Sequence, residues 1–262
     1  MNKKQSPQNK KEDVSENKKK MIFFPKENRK RLLKDIANIM KYPLTDEGIL
    51  YFHNETNIFE GTIIIFGPKG SLYENGVYLL KITYTINYPY EPPVVKYQTN
   101  DGTTRFHPNL YRNGKVCLSL LNTWKGEQWT SCQTIRSILI TLLSLFHNKP
   151  LLNEPGIKET NRDFIPYNNI IRYMNIHTAI NGILEKRIIK YYTKNYWNYI
   201  IDHFKKEQDN IIKYVEELSK LYPKVVEEKV VFLDDNLSIY LCHWFFLFFL
   251  ILLHLFPIVL IH

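Results

Sequence analysis

The pattern of apolar and polar positions changes several times along the 262-residue chain. Residues 1–20 are polar and lysine-heavy and show no apolar period, which predicts a disordered basic tail over 1–25. From Asn28 onward, Leu32, Leu33, Ile36, Ile39 and Met40 recur at helical spacing, and Pro43 closes the pattern. Ile58–Phe66 and Val77–Ile86 are dense in β-branched and aromatic residues and predict strands. GPKGSLYENG lies between them and carries turn chemistry. Tyr88-Pro89-Tyr90-Glu91-Pro92-Pro93 can be neither helix nor central strand, because proline lacks the backbone donor. Val94–Tyr97 predicts one more short strand.

After Trp129 the period shifts to 3.6. Thr134–Phe146 predicts a buried helix through Ile135, Ile138, Leu139, Leu142, Leu143 and Phe146, and two or three further helices are expected between about Asn168 and Leu221. This order, a helix, an antiparallel meander, a loop and then helices, predicts an α+β fold. Asn236 to His262 holds no formal charge, and Ile239–Ile261 is almost wholly apolar. As a helix that stretch would rise roughly 34 Å, enough to cross a hydrocarbon core, so a membrane anchor over 237–262 is expected.

Charge sharpens the picture at one end only. Residues 1–34 contain twelve Lys/Arg and four acids, which accounts for eight of the chain's nine net positive charges. A basic head on a near-neutral body suggests docking of an acidic partner. Nucleic-acid binding is disfavoured, because no basic and aromatic residues interleave on a sheet face. Cys117, Cys132 and Cys242 are scattered, with no CxxC pair, so neither a disulfide framework nor a zinc site is expected.

The candidate chemistry lies in FHPNLYRNGKVCLSLL, Phe106 to Leu121. Here a thiol, Cys117, follows a turn-dense loop that can bring the Asn109 amide back toward it. A thiolate there could carry an acyl group, with Asn109 donating to the oxygen that becomes negative when an amine attacks. An inert packed thiol is the alternative. A Cys-His-Asn protease would need a histidine within reach, and His147 and His177 sit in no recognisable setting for that.

Phe106-His107-Pro108-Asn109 followed by Asn113-Gly114-Lys115-Val116-Cys117-Leu118 resembles the active-site signature of ubiquitin-conjugating enzymes, including the eight-residue step from Asn to Cys. Gly67-Pro68 with Tyr73-Glu74-Asn75-Gly76 is similar to that family's GP…YEGG turn. Tyr88-Pro89-Tyr90-Glu91-Pro92-Pro93 is similar to its YPFxPP element, and Trp129 to its tryptophan after the cysteine. The likeness covers about 26–188. The long segment Leu121–Trp129 and Asn153-Glu154-Pro155-Gly156 resemble the larger Z-type members and the conjugating domains of giant inhibitor-of-apoptosis proteins.

The resemblance implies the UBC fold, a four-stranded antiparallel meander flanked by an N-terminal helix and C-terminal helices, at 26–188. A helical extension at 189–236 and the hydrophobic helix at 237–262 would follow. It implies a transferase that takes ubiquitin from an activating enzyme as a thioester on Cys117 and passes it to substrate lysines, usually with a ligase. Asn109 would stabilise the oxyanion or the loop, and Glu154 would orient the incoming lysine. His107 and Pro108 would support the loop. Docking of the activating enzyme or ligase would use Arg29, Lys30, Arg31, Lys34, Tyr90 and Ser131. Thr130-Ser131-Cys132 replaces the usual Ser-Pro-Ala, which argues against ordinary ligase docking. No cofactor or metal is expected. The anchor would place the enzyme on the cytoplasmic side of a membrane, with the endoplasmic reticulum one candidate. The alternatives are a catalytically silent ubiquitin-binding or membrane-tethered scaffold, and a carrier of another ubiquitin-like protein.

Overall fold

A computed structural model describes residues 24–188, 194–221, 226–230 and 237–241. Helix α1 (Lys26–Lys41) is followed by strands β1 (Ile49–His53), β2 (Glu60–Phe66), β3 (Val77–Thr83) and β4 (Val94–Tyr97). These form one antiparallel sheet in the order β1-β2-β3-β4. Helix α2 (Ile135–Leu143) begins at a reciprocal cap, in which Thr134 and Ser137 each accept the other's backbone N–H. Helix α3 (Phe164–Met174) runs on through a π-helical stretch (Asn175–Asn181) into the single turn α4 (Gly182–Leu184). Helices α5 (Lys194–Lys206) and α6 (Gln208–Leu221) follow. The architecture is α+β, as the order of elements predicts.

The sheet is covered on both faces, and the two-residue period of its strands decides which side chain goes where. Ile63, Ile65, Tyr78, Leu80 and Ile82 point into a core shared with α1, α2 and α3. Ile64, Val77 and Leu79 point the other way, where Ile200 and Phe204 of α5 and Ile211 and Val215 of α6 bury them completely. Helices α5 and α6 are therefore packed as the second layer of the domain.

Helix α1 departs from expectation in its buried face. Leu33 and Met40 are exposed, at 46% and 63%, whereas Asn28 and Asp35 are buried beside Leu32, Ile36 and Ile39. The polar pair is buried because it is bonded. Asp35 accepts from the Tyr88 hydroxyl at 2.6 Å and from Arg31, and Asn28 donates to the Ile86 carbonyl at 2.8 Å. These contacts hold the proline-rich loop after β3 against the helix. Trp129 fastens the same loop from the far side by donating its indole N–H to the Pro89 carbonyl at 2.6 Å.

Two strands lie outside the predicted pattern. β5 (Val226–Val230) and β6 (Leu237–Leu241) pair antiparallel as a ribbon. Ile239, Tyr240 and Leu241 are thus strand residues, which corrects the expected helix at its start, because their backbone groups bond across to β5. The rest of that segment, 242–262, and the basic tail, 1–23, lie outside the described residues. Among the described residues no helix is long and apolar enough to cross a membrane.

Candidate active site

The loop from Phe106 to Cys117 closes on itself through bonds dictated by its own residues. The His107 Nδ1 accepts the Asn109 N–H at 3.0 Å, and Leu110 N–H returns to the His107 carbonyl at 2.8 Å. Pro108 sits between them, buried, with its carbonyl taking the Arg105 guanidinium at 2.5 Å. Gly114, at φ +83°, makes the reversal, and a Cβ there would press on the Tyr97 carbonyl oxygen. The chain then runs antiparallel to itself, with Leu110 bridged to Val116.

This reversal brings Asn109 beside Cys117. The Cys117 N–H donates to the Asn109 carbonyl at 2.9 Å, and the Asn109 Nδ2 donates to the Cys117 carbonyl at 2.6 Å. The amide thus holds the backbone that carries the thiol. Its Oδ1 is buried and has no hydrogen-bond partner among the described residues. On the far side, the Thr123 hydroxyl accepts the Leu118 N–H at 2.9 Å and donates to the Val116 carbonyl at 2.9 Å. Both neighbours of the cysteine are therefore pinned.

Cys117 itself is only 2% exposed. Tyr111, half-buried, lies beside its thiol. Burial pushes the Tyr111 phenol above its usual range, the nearby Cys117 and Glu154 charges push it further, and Arg105 opposes them. That guanidinium lies 4.1 Å from the centre of the Tyr111 ring. Cys117, Tyr111, Arg105 and Glu154 thus share one electrostatic neighbourhood. Tyr111 was not among the residues read from the sequence; its place in the same loop, two residues after Asn109, was the available signal.

Glu154 is half-buried and closes the short 3-10 turn Pro150–Asn153, donating its N–H to the Leu151 carbonyl at 3.1 Å. His147 links this turn to the Phe106–Cys117 loop. Its Nε2 lies 3.3 Å from the Asn153 Oδ1, and its ring centre lies 6.0 Å from that of His107. Burial holds His107 well below the usual histidine range, and the His147 and Arg105 charges lower it further. His107 is therefore neutral, with one ring nitrogen engaged in the loop and the other buried. A groove of about 570 Å³ runs between Pro155, next to Glu154, and the segment Asn122, Thr123, Trp124, Lys125 and Gln128. Among the described residues no cluster of His, Cys, Asp and Glu could hold a metal ion.

The expected docking residues are spread over α1 and two loops. Arg29, Lys30 and Lys34 are exposed on α1, and Tyr90 is 72% exposed on the proline-rich loop. Arg31 is committed within the molecule. It pairs with Asp35 at 2.9 Å and donates to the carbonyls of Ser131 and Gln133 at 2.7 Å each. Ser131 is half-buried at that contact, and the Cys132 thiol is exposed.

A family model described as "Ubiquitin-conjugating enzyme" matches residues 31–171. "Ubiquitin-conjugating enzyme E2 Z" of Homo sapiens is 36% identical over 179 residues, covering 62% of this chain and 50% of that protein. The protein of the same name from Danio rerio is 37% identical over 161 residues, covering 60% and 48%. A "Ubiquitin-conjugating enzyme E2" of African swine fever virus (isolate Pig/Kenya/KEN-50/1950) is 35% identical over 129 residues, covering 48% and 56%. The chain spans about half the length of these curated relatives.

Proposed function

The chain belongs to the ubiquitin-conjugating enzyme family, and from that premise we propose that it carries ubiquitin as a thioester on Cys117 and passes it to a lysine. In the first step the Cys117 thiolate attacks the thioester of a charged activating enzyme. The new carbon–sulfur bond forms at Cys117 and the activating enzyme's thiolate leaves. In the second step a neutral lysine amine attacks that carbonyl, an amide bond forms, Cys117 leaves as thiolate, and the amine's proton passes to solvent or a nearby base.

The observation that carries this reading is the pinning of the Cys117 backbone between the Asn109 amide and the Thr123 hydroxyl. Asn109 braces the loop in the resting state, and its amide is the side-chain donor assigned to a developing oxyanion. Glu154, within electrostatic reach of Tyr111, is the group that would hold an incoming ammonium and accept its proton. A thiol only 2% exposed requires the side chains over it to part before two proteins can meet there.

Partners follow from this chemistry: an activating enzyme, ubiquitin, substrate proteins and a ligase. Their docking is assigned to exposed Arg29, Lys30, Lys34 and Tyr90, with Ser131 behind them. Residues 26–188 are proposed as the conjugating domain and 189–236 as its extension. The membrane anchor is proposed for the uncharged segment 242–262, placing the enzyme on the cytoplasmic side of a membrane. The test is charging: the chain is incubated with activating enzyme, ATP and labelled ubiquitin and run on a non-reducing gel. A thiol-sensitive adduct that becomes thiol-resistant in Cys117→Ser is expected. No adduct with ubiquitin or any ubiquitin-like protein would refute the proposal. For the anchor, recovery of the full chain in the supernatant after alkaline carbonate extraction would refute it.

A further inference from the structure

Arg105 stands immediately before the Phe106–Cys117 loop, and its backbone is fixed from below. The Tyr167 hydroxyl of α3 donates to the Arg105 carbonyl at 3.0 Å, and the Tyr73 hydroxyl donates to the next carbonyl, that of Phe106, at 2.6 Å. Both tyrosines are buried, so the point from which the Arg105 side chain departs is well defined. That side chain is half-buried, yet it makes no ion pair among the described residues. A cation withdrawn from water is ordinarily met by a carboxylate. This guanidinium meets a carbonyl and an aromatic ring.

The carbonyl is that of Pro108, 2.5 Å from the Arg105 Nη2. The ring is that of Tyr111, its centre 4.1 Å from the guanidinium carbon. A cation over a ring face is attracted by the ring's quadrupole, and a guanidinium can also stack on it. The Lys115 ammonium lies farther from the same ring centre, at 5.8 Å, and belongs to an exposed side chain. Arg105 is therefore the near and anchored cation. Its Nε is buried without a hydrogen-bond partner, so the side chain gives up solvation to hold this position. The turn holds the Tyr111 backbone, through its N–H to the Lys115 carbonyl and the Gly114 N–H to its own carbonyl, each at 2.9 Å. The ring is left to Arg105.

We propose that Arg105 is a positioning residue for the transfer step: clamped to the Pro108 carbonyl, it stacks on Tyr111 and holds that ring beside the Cys117 thiol. The inference rests on the reading of Cys117 as the thioester carrier. Among the described residues Arg105 has no hydrogen bond to Cys117, so its influence passes through Tyr111, which lies within electrostatic reach of both. Arginine suits this task better than lysine, because its plane can lie on a ring while its edge donates to a carbonyl. The thiol is only 2% exposed, so the side chains around it must move whenever the acyl group arrives or leaves. A ring stacked on a residue that α3 fixes returns to the same place each time.

The full chain is charged with labelled ubiquitin, further charging is stopped, and loss of the thioester onto free lysine is followed. Arg105→Met is expected to slow discharge about tenfold. Arg105→Lys keeps a cation for the ring but not its plane, and should lose only about threefold. The deciding measurement is the double-mutant cycle. In a Tyr111→Ala background the ring is already gone, so Arg105→Met should cost no more than about twofold further. A residue that merely supported the fold would cost the same in both backgrounds. That equal loss, or an unchanged rate in Arg105→Met, overturns the proposal while leaving thioester carriage intact. If Arg105→Met does not fold, the cycle is run with Arg105→Lys, whose smaller loss must likewise disappear with the ring. Failure of the wild-type chain to form a thioester overturns both readings.

Discussion

Replacing Asn109 by alanine removes one hydrogen bond whose place is well defined: the amide donates to the Cys117 carbonyl at 2.6 Å, in a residue 8% exposed. Alanine leaves that carbonyl without its side-chain donor. An unsatisfied buried acceptor costs about 1–3 kcal/mol. Against this, the substitution also removes the Oδ1, which is buried and unpaired, so the lower half of that range is expected, about 1–2 kcal/mol. For a domain of this size each kcal/mol shifts Tm by roughly 2–4 °C. The variant should therefore melt about 2–8 °C below the wild type. The loop also loses its hold on the backbone of Cys117, so both charging and discharge onto free lysine should slow, and discharge should slow more. A donor serving only the oxyanion would cost about a hundredfold to a thousandfold in discharge and nothing in stability. Differential scanning fluorimetry with single-turnover discharge separates the two. A variant with unchanged Tm and lost discharge would show that the amide does not rest on the Cys117 carbonyl, and the brace assigned here would be wrong.

Tyr111→Phe removes the hydroxyl that lies beside the thiol. Discharge of the thioester onto free lysine should fall about tenfold, read in a single-turnover gel assay, and an unchanged rate would remove Tyr111 from the site. Phe204→Ala empties a fully buried position between α5 and the sheet, at a cost of about 3–5 kcal/mol, read as a lowered urea midpoint. A near-neutral effect would mean that α5 is not integral to the domain. Burial holds His107 and His203 below the usual histidine range, so they are neutral in the fold and take up protons near pH 6.5 once unfolded. The stability they confer is complete above about pH 6.5 and declines as pH falls, by up to about 1.4 kcal/mol per pH unit for each histidine. Urea titrations from pH 7.5 to 5 test this, and a flat profile contradicts it.

How far the fold could be read from the sequence depended on how many faces each element buries. Val94–Tyr97 alternates exposed and buried positions, and its predicted limits coincide with β4. The two central strands have apolar side chains on both faces, so Ile63-Ile64-Ile65 and Val77-Tyr78-Leu79-Leu80 read as continuous runs, with type clear and ends blurred. β1, Ile49–His53, was not located for the same reason. Its Leu50 and Phe52 pack outward toward the second cluster, with the Phe52 ring 5.7 Å from that of Tyr196. No alternation remained to mark a strand. α1 misled in the opposite direction: Asn28 and Asp35 look like solvent-facing residues until their partners, Ile86 and Tyr88, are in place. The ribbon of β5 and β6 was not visible, because Val-Glu-Glu-Lys-Val carries charge where a strand signal would need apolar alternation, and its pairing is with a segment otherwise apolar.

The site divides along the same line between local and distant bonding. Asn109 and Cys117 are eight residues apart, and everything that joins them lies between them: the His107 acceptor, the Gly114 reversal and the Leu110–Val116 bridge. Local chemistry of that kind leaves a trace in residue spacing. The roles of Tyr111 and Glu154 come from groups 6 and 37 positions from the thiol, and only the folded chain sets their field on one another. A row of lysines is the extreme case. Lys81, Lys96 and Lys115 are unremarkable along the chain, and two strand registers make them neighbours.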